Sequence, residues 1–170
     1  MKDDFAAEVA AQGEDEALRA VVREACRITQ MGFAAIARVT EERWIVCQVE
    51  DSIEFGLDPG SELDIKTTIC DDIRKCGCAI VIDDVRGDPE WRTHPVPILY
   101  GFESYASMPI HLADGSFYGT LCAIDPEPRS LSAPETVAAL KMLAERAGAV
   151  LSLKTGAAPA AAAAAPEGEA

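Results

Sequence analysis

Two apolar runs, Tyr105-Ala106-Ser107-Met108-Pro109-Ile110-His111-Leu112 and Ser116-Phe117-Tyr118-Gly119-Thr120-Leu121-Cys122-Ala123-Ile124, meet at Ala113-Asp114-Gly115. Both runs are strand-length, and Asp-Gly is a strong short-range hairpin signal because the turn needs positive φ. Gly119 interrupts the second run, where a missing side chain lets a neighbouring backbone come close. Upstream, Phe33 to Val39 and Trp44 to Val49 form a second β pair around the polar turn Thr40-Glu41-Glu42-Arg43. Cys78-Ala79-Ile80-Val81-Ile82 reads as a further buried-type strand. Helical periodicity frames these strands. Leu18, Val21, Val22, Ala25 and Ile28 recur at three- and four-residue steps between Glu14 and Gln30, and Val137, Leu140, Ala144, Ala147 and Leu151 do so in a segment running from Ser132 or Ala133 to Lys154. A short helix is expected from Thr67, a candidate N-cap, to Arg74 or Lys75, ended by Gly77. Antiparallel hairpins with a helix at each end define an α+β fold.

The chain holds 170 residues, close to one domain, with 49% hydrophobic and 26% charged residues. Fifteen Lys and Arg stand against 29 Asp and Glu, a net charge of −14, which repels phosphate backbones and anionic lipid headgroups. No nucleic-acid or membrane partner is therefore expected. No positively charged start precedes an apolar run, and no stretch approaches the roughly 18 apolar residues of a membrane span, so a cytoplasmic location is expected. In that compartment the six cysteines, Cys26, Cys47, Cys70, Cys76, Cys78 and Cys122, are expected to be reduced. Residues 1–13 are short of bulky apolar groups and read as a disordered tail. Residues 155–170 contain nine Ala with Pro159 and Pro166 and read as a disordered tail or linker, leaving 14–154 as the folded domain.

Tyr105 to Ile110, Asp114 to Asp125 and the following Pro128-Arg129 closely resemble the GAF domain family of small-molecule sensors. Thr67-Thr68-Ile69-Cys70, Ala79-Ile80-Val81-Ile82-Asp83-Asp84 and Asp88-Pro89-Glu90-Trp91 are similar to the preceding half of that domain in bacterial signalling proteins, so the resemblance spans about Glu14 to Leu153. It implies a central antiparallel β-sheet with the N- and C-terminal helices on one face and, on the other, a pocket roofed by loops and short helices between Leu63 and Tyr105. The implied function is a non-enzymatic sensory or regulatory module of bacterial signal transduction. It would bind a small molecule of unknown identity, with the cofactor also unknown, and signal through terminal-helix packing. No kinase, cyclase or DNA-binding segment fits in the remaining residues.

The candidate ligand contacts are Cys70, Asp84, Trp91, His94, Tyr100, Phe102 and Tyr105. Four of these are aromatic and fall within fifteen residues, where they either line an apolar pocket or plug the gap between loop and sheet. Asp83, Asp84, Arg86 and Asp88 are also ordinary loop-capping groups, and His94 before Pro95 has a structural reading beside the ligand one. Cys70, Cys76 and Cys78 invite a zinc reading, but Cys-x5-Cys-x-Cys lacks paired knuckles and a nearby fourth ligand. Cys47 and Cys122, inside apolar strands, read as buried packing. Family members that attach a linear tetrapyrrole use a Cys followed by His, whereas this chain has Thr93-His94-Pro95 in that region and no Cys between Cys78 and Cys122. Free methionine sulfoxide reductases of the family use several cysteines in a pattern not reproduced between Leu63 and Cys78. A redox enzyme and a tetrapyrrole photosensor remain the rival readings. A homodimer through the terminal helices is expected, with Val137, Leu140, Ala144, Ala147 and Leu151 as its seam and Met142, Leu143 and Val150 on a second apolar stripe.

Overall fold

Period-two alternation in the strands sorts side chains onto two faces, and each face builds its own core. The computed structural model describes residues 3–157, in the order α1 (Asp4–Gln12), α2 (Glu16–Thr29), β1 (Phe33–Val39), β2 (Trp44–Asp51), β3 (Glu62–Leu63), a 3-10 turn (Ile65–Thr67), α3 (Cys70–Cys76), β4 (Ile80–Ile82), α4 (Pro95–Tyr100), β5 (Ser104–His111), β6 (Phe117–Asp125) and α5 (Pro134–Thr155). One six-stranded sheet runs β3-β2-β1-β6-β5-β4, with every neighbouring pair antiparallel. On β1, Ala34 and Ile36 face the helices while Phe33, Ala35, Ala37 and Val39 face the opposite side. A register shift between Ile110 and His111, opposite Tyr118, resets the alternation on β6. Tyr118 consequently joins Leu121 and Ala123 under the helices, leaving Cys122 and Ile124 on the other face.

α2 and α5 pack side by side on the first face. Asp15 caps α2 by accepting from the Ala17 amide, and Leu18, Val21, Val22 and Ala25 are buried along one stripe. α5 brings Leu140, Leu143, Ala144, Ala147 and Leu151 onto the sheet, all at most 4% exposed. Gly148 allows this approach, because a Cβ there would strike the His111 carbonyl oxygen. The seam expected to join two chains is thus the inner face of α5. Leu140, Ala144, Ala147 and Leu151 cover their own sheet, and the exposed stripe carries Met142, Ala149 and Leu153 instead. A seven-residue apolar step meets any flat apolar surface, so spacing alone does not distinguish a sheet from a partner helix.

The N-terminal segment also departs from expectation. Residues 4–12 form α1, capped by Asp3, and bury Ala6 and Val9 completely. Small side chains suffice because the helix lies close to β2. The Tyr118 hydroxyl donates to Gln12 Oε1 (2.7 Å), and Gln48 Nε2 donates to the Gly13 carbonyl (2.8 Å). Most of the 155–170 tail lies outside the described residues. Among the described residues no helix is long and apolar enough to cross a membrane.

Candidate functional site

Phe33, Trp44, Tyr105, Cys122 and Ile124 turn the second face of the sheet into the floor of a cavity. Its roof is α3, α4 and the segment between β2 and β3. That segment is shaped by Asp51, whose carboxylate accepts from the amides of Ile53, Phe55 and Gly56. Phe55 is thereby held between Phe33 (4.9 Å between ring centroids) and Tyr100 (5.9 Å). The Tyr100 hydroxyl lies 2.6 Å from Thr67 Oγ1 and fastens α4 to the 3-10 turn. Thr67 therefore acts inside that turn and does not cap α3, which starts at Cys70 with no side-chain cap.

The cavity has two parts. An inner chamber of about 50 Å³ is bounded by Trp44, Ile69, Cys70, Tyr105 and Cys122. An outer vestibule of about 420 Å³, lined by Ile53, Glu54, Leu99 and Pro126 among others, shares Phe55, Leu57, Leu63, Tyr100, Phe102 and Ile124 with the chamber. The vestibule is of the size that holds a small organic molecule, whereas the chamber has room for only a few atoms.

Cys70 lines the chamber, 3% exposed, with two hydroxyl groups within hydrogen-bonding reach of its sulfur. Thr120 Oγ1 is 3.2 Å from Sγ and the Tyr105 hydroxyl 3.6 Å. Cys122 and Trp44 line the same chamber, and the indole N–H of Trp44 is buried without a hydrogen-bond partner. Donation by Cys122, followed by that of Thr120, Trp44 and Tyr105, outweighs burial and lowers the pKa of Cys70. Cys122 moves well above the usual thiol range, because the adjacent Cys70 sulfur and burial both favour its protonated form. The two shifts run in opposite directions, toward thiolate at Cys70 and toward thiol at Cys122. Elsewhere burial acts nearly alone, pushing Cys26 up to about 12 and Cys47 up to about 11.

Of the residues singled out from sequence, Cys70, Tyr100, Phe102 and Tyr105 come together in this cavity. Asp84, Trp91 and His94 do not. Asp84 is exposed and accepts from the Gly87 amide at 3.3 Å, closing its own loop. His94 caps α4 through Nδ1, which accepts from the Val96 amide, and Trp91 stacks against it at 4.8 Å. Asp83 ties the same loop to Leu131 and Ser132. Phe33, Trp44, Phe55, Leu57, Leu63, Thr120 and Cys122 complete the site, and sequence reading does not single them out as ligand contacts. Only the apolar, strand-like character of Cys122 and its neighbours hints at the floor.

Cys76 and Cys78 correct a further expectation, since they are joined in a disulfide. Gly77, at φ 69°, ends α3 in the left-handed region and folds the chain back, bringing the two Cα atoms to 5.3 Å, within disulfide reach. Among the described residues, no three His, Cys, Asp or Glu side chains are grouped to hold a metal ion.

A single sheet with terminal helices on one face and a roofed cavity on the other is the α+β architecture of the described residues, and the comparisons say which family shares it. The GAF domain family model matches residues 14–151, and the chain belongs to that family. The GAF domain region of a membrane protein from Geobacter sulfurreducens has the same fold, with TM-score 0.66 and 12% identity over 89% of this chain and 99% of that one. A type II free methionine-R-sulfoxide reductase from Thermoplasma acidophilum is similar in fold at TM-score 0.61 and 11% identity, covering 88% and 96%. In sequence, 32 residues are 59% identical to the diguanylate cyclase DgcP of Escherichia coli (strain K12), which is 19% of this chain and 9% of that protein.

Proposed function

We propose that the protein is a sensory module of bacterial signal transduction that binds a small, largely apolar molecule in the vestibule and reports it through α2 and α5. The observation that carries this reading is the two-part cavity on the sheet face away from the terminal helices, an apolar chamber adjoining a vestibule whose mostly apolar side chains are joined by Glu54. Its roof is suited to respond to occupancy. The Tyr100 to Thr67 hydrogen bond and the Phe55 sandwich are few contacts, and opening them displaces α4 and the β2–β3 segment on the cavity side while leaving the helix-side core in place.

β1 and β6, the central strands, carry residues of both cores, so a shift on the cavity side reaches the helices through a shared backbone. The output we favour is a homodimer through the outward faces of α2 and α5. Met142 is 62% and Leu153 86% exposed on α5, and a groove between the helices is lined by Ala20, Ile28, Ala139 and Met142. Ligand binding would act by favouring one packing of the helices over another.

Titration with the neutral apolar dye Nile red tests the binding reading. Saturable one-site binding is expected in the wild type, weakened at least about tenfold in Leu57→Trp, whose ring fills the vestibule from a loop position. Equal affinity in both proteins contradicts it, as does the absence of binding.

A further inference from the structure

The inner chamber is too small for the molecule that the vestibule accommodates, yet it is the most elaborately built part of the site. Thr120 Oγ1 from β6 and the Tyr105 hydroxyl from β5 lie 3.2 and 3.6 Å from one sulfur atom, Cys70 Sγ on α3, and Trp44 from β2 and Cys122 from β6 line the same chamber. A thiol packed only for volume needs none of them. Cys47, buried in the other core, has the Tyr118 hydroxyl at 3.6 Å and is otherwise enclosed by apolar neighbours.

A sulfur surrounded by donors is stabilised as thiolate, which is the nucleophilic form. Cys122 is a second thiol lining the same small chamber, placed to trap an oxidised product. We infer that Cys70 and Cys122 form a dithiol sensor for organic hydroperoxides, with the hydrocarbon body in the vestibule and the peroxide group in the chamber. This inference rests on the vestibule being a binding site for apolar molecules.

The chemistry closes with these groups. The Cys70 thiolate attacks the terminal oxygen of the hydroperoxide, the O–O bond breaks, and the alkoxide leaves as the alcohol after taking up a proton. Cys70 is then a sulfenic acid. The Cys122 sulfur attacks it, an S–S bond forms, and the hydroxyl departs as water with the Cys122 proton. In sum the Cys70 thiolate and the Cys122 thiol lose two electrons and one proton, a proton from solvent goes to the alkoxide, and the hydroperoxide becomes alcohol and water. The Tyr105 and Thr120 hydroxyls stand beside the reacting sulfur, where they also meet the charge that develops on the leaving oxygen. Disulfide formation draws the start of α3 toward β6, so oxidation reshapes the same roof that a bound ligand would move. A thiol reductant from outside the protein resets the pair by disulfide exchange.

The full-length protein, treated with cumene hydroperoxide, is digested with trypsin and analysed by mass spectrometry without reduction. The expected result is one new link, joining fragment 67–74, which holds Cys70, to fragment 93–129, which holds Cys122. Cys122→Ser should halt at a Cys70 sulfenic acid captured by dimedone, and Cys70→Ser should leave Cys122 unmodified. Thr120→Val, which keeps the shape and removes one donor, should slow Cys70 oxidation about tenfold and retain the far-ultraviolet spectrum of the wild type. Hydrogen peroxide should react more slowly, having no body to occupy the vestibule. Oxidation that begins at Cys26 or Cys47, or no 67–74 to 93–129 link in protein that binds Nile red, overturns the inference and leaves the binding reading standing. Link formation in protein that fails to bind the dye removes the binding reading and the role given to the vestibule.

Discussion

At Cys70 and Cys122 the same functional group is driven in opposite directions by a few ångströms of placement. The donors around Cys70 favour its thiolate, and that sulfur in turn keeps the proton on Cys122. The sign of the linkage follows. A depressed pKa stabilises the fold fully above the unfolded value, near 9.0, and that contribution fades as pH falls through the folded value. A raised pKa does the reverse, so Cys122 stabilises fully below about 9.0 and progressively less above it. The thermal midpoint should therefore climb toward pH 9 and fall beyond, and Cys70→Ser should lose the climbing limb while keeping the decline. Melting curves of the two proteins between pH 6 and 10 check this, and identical climbing limbs would count against the donor cluster. Iodoacetamide should likewise modify Cys70 in preference to Cys26 and Cys47, whose burial keeps them protonated. Sequence reading reaches only part of this site. The aromatic residues Tyr100, Phe102 and Tyr105 flank or occupy the start of a strand whose face is readable. Phe55 and Leu57 lie in an aperiodic stretch whose path depends on the Asp51 carboxylate and its three amides. Trp91 and His94 satisfy each other and their own loop, an outcome that an aromatic and a histidine advertise no differently from ligand contact.

Among the elements, α5 separates two roles that its sequence superimposes. Its inner stripe belongs to the core, so Leu140→Glu, placing a carboxylate at a position 2% exposed, should cost several kcal/mol and abolish the cooperative melt. Met142→Glu together with Leu153→Glu alters only the outer stripe. That double variant should melt like the wild type and, by light scattering, convert a dimer into a monomer, whereas an unchanged mass would remove the outer stripe from the interface. The β hairpins are legible at this scale because alternation and an Asp-Gly turn specify register directly. The direction of the α5 stripes is not legible, since sheet and helix present equally apolar partners. α1 escapes notice for a related reason: its buried positions are Ala6 and Val9, too small to mark an amphipathic stripe. Val9→Ala should nonetheless destabilise the protein by about 1.5–3 kcal/mol and lower its melting midpoint by several degrees, because Val9 is completely buried.

In the whole molecule, one sheet divides two apolar cores of different character. The helix-side core is built from regular, capped, well-packed elements, and it holds the domain together. The other includes a chamber, a vestibule and a roof of short helices, and it is where the protein retains room to change. In the proposed function, an event among Cys70, Phe55 and Tyr100 on the cavity side is read at Met142 and Leu153 on the outward helix face. The most direct measurement is a titration of nitrogen-labelled protein with Nile red, followed by amide chemical shifts. The account predicts saturable shifts centred on Phe55, Gly56, Ile69 to Ile73, Phe102 and Thr120 to Ile124, with smaller changes reaching α2 and α5. Shifts centred instead on Ala20, Ile28, Ala139 and Met142, with the cavity residues unmoved, would contradict it.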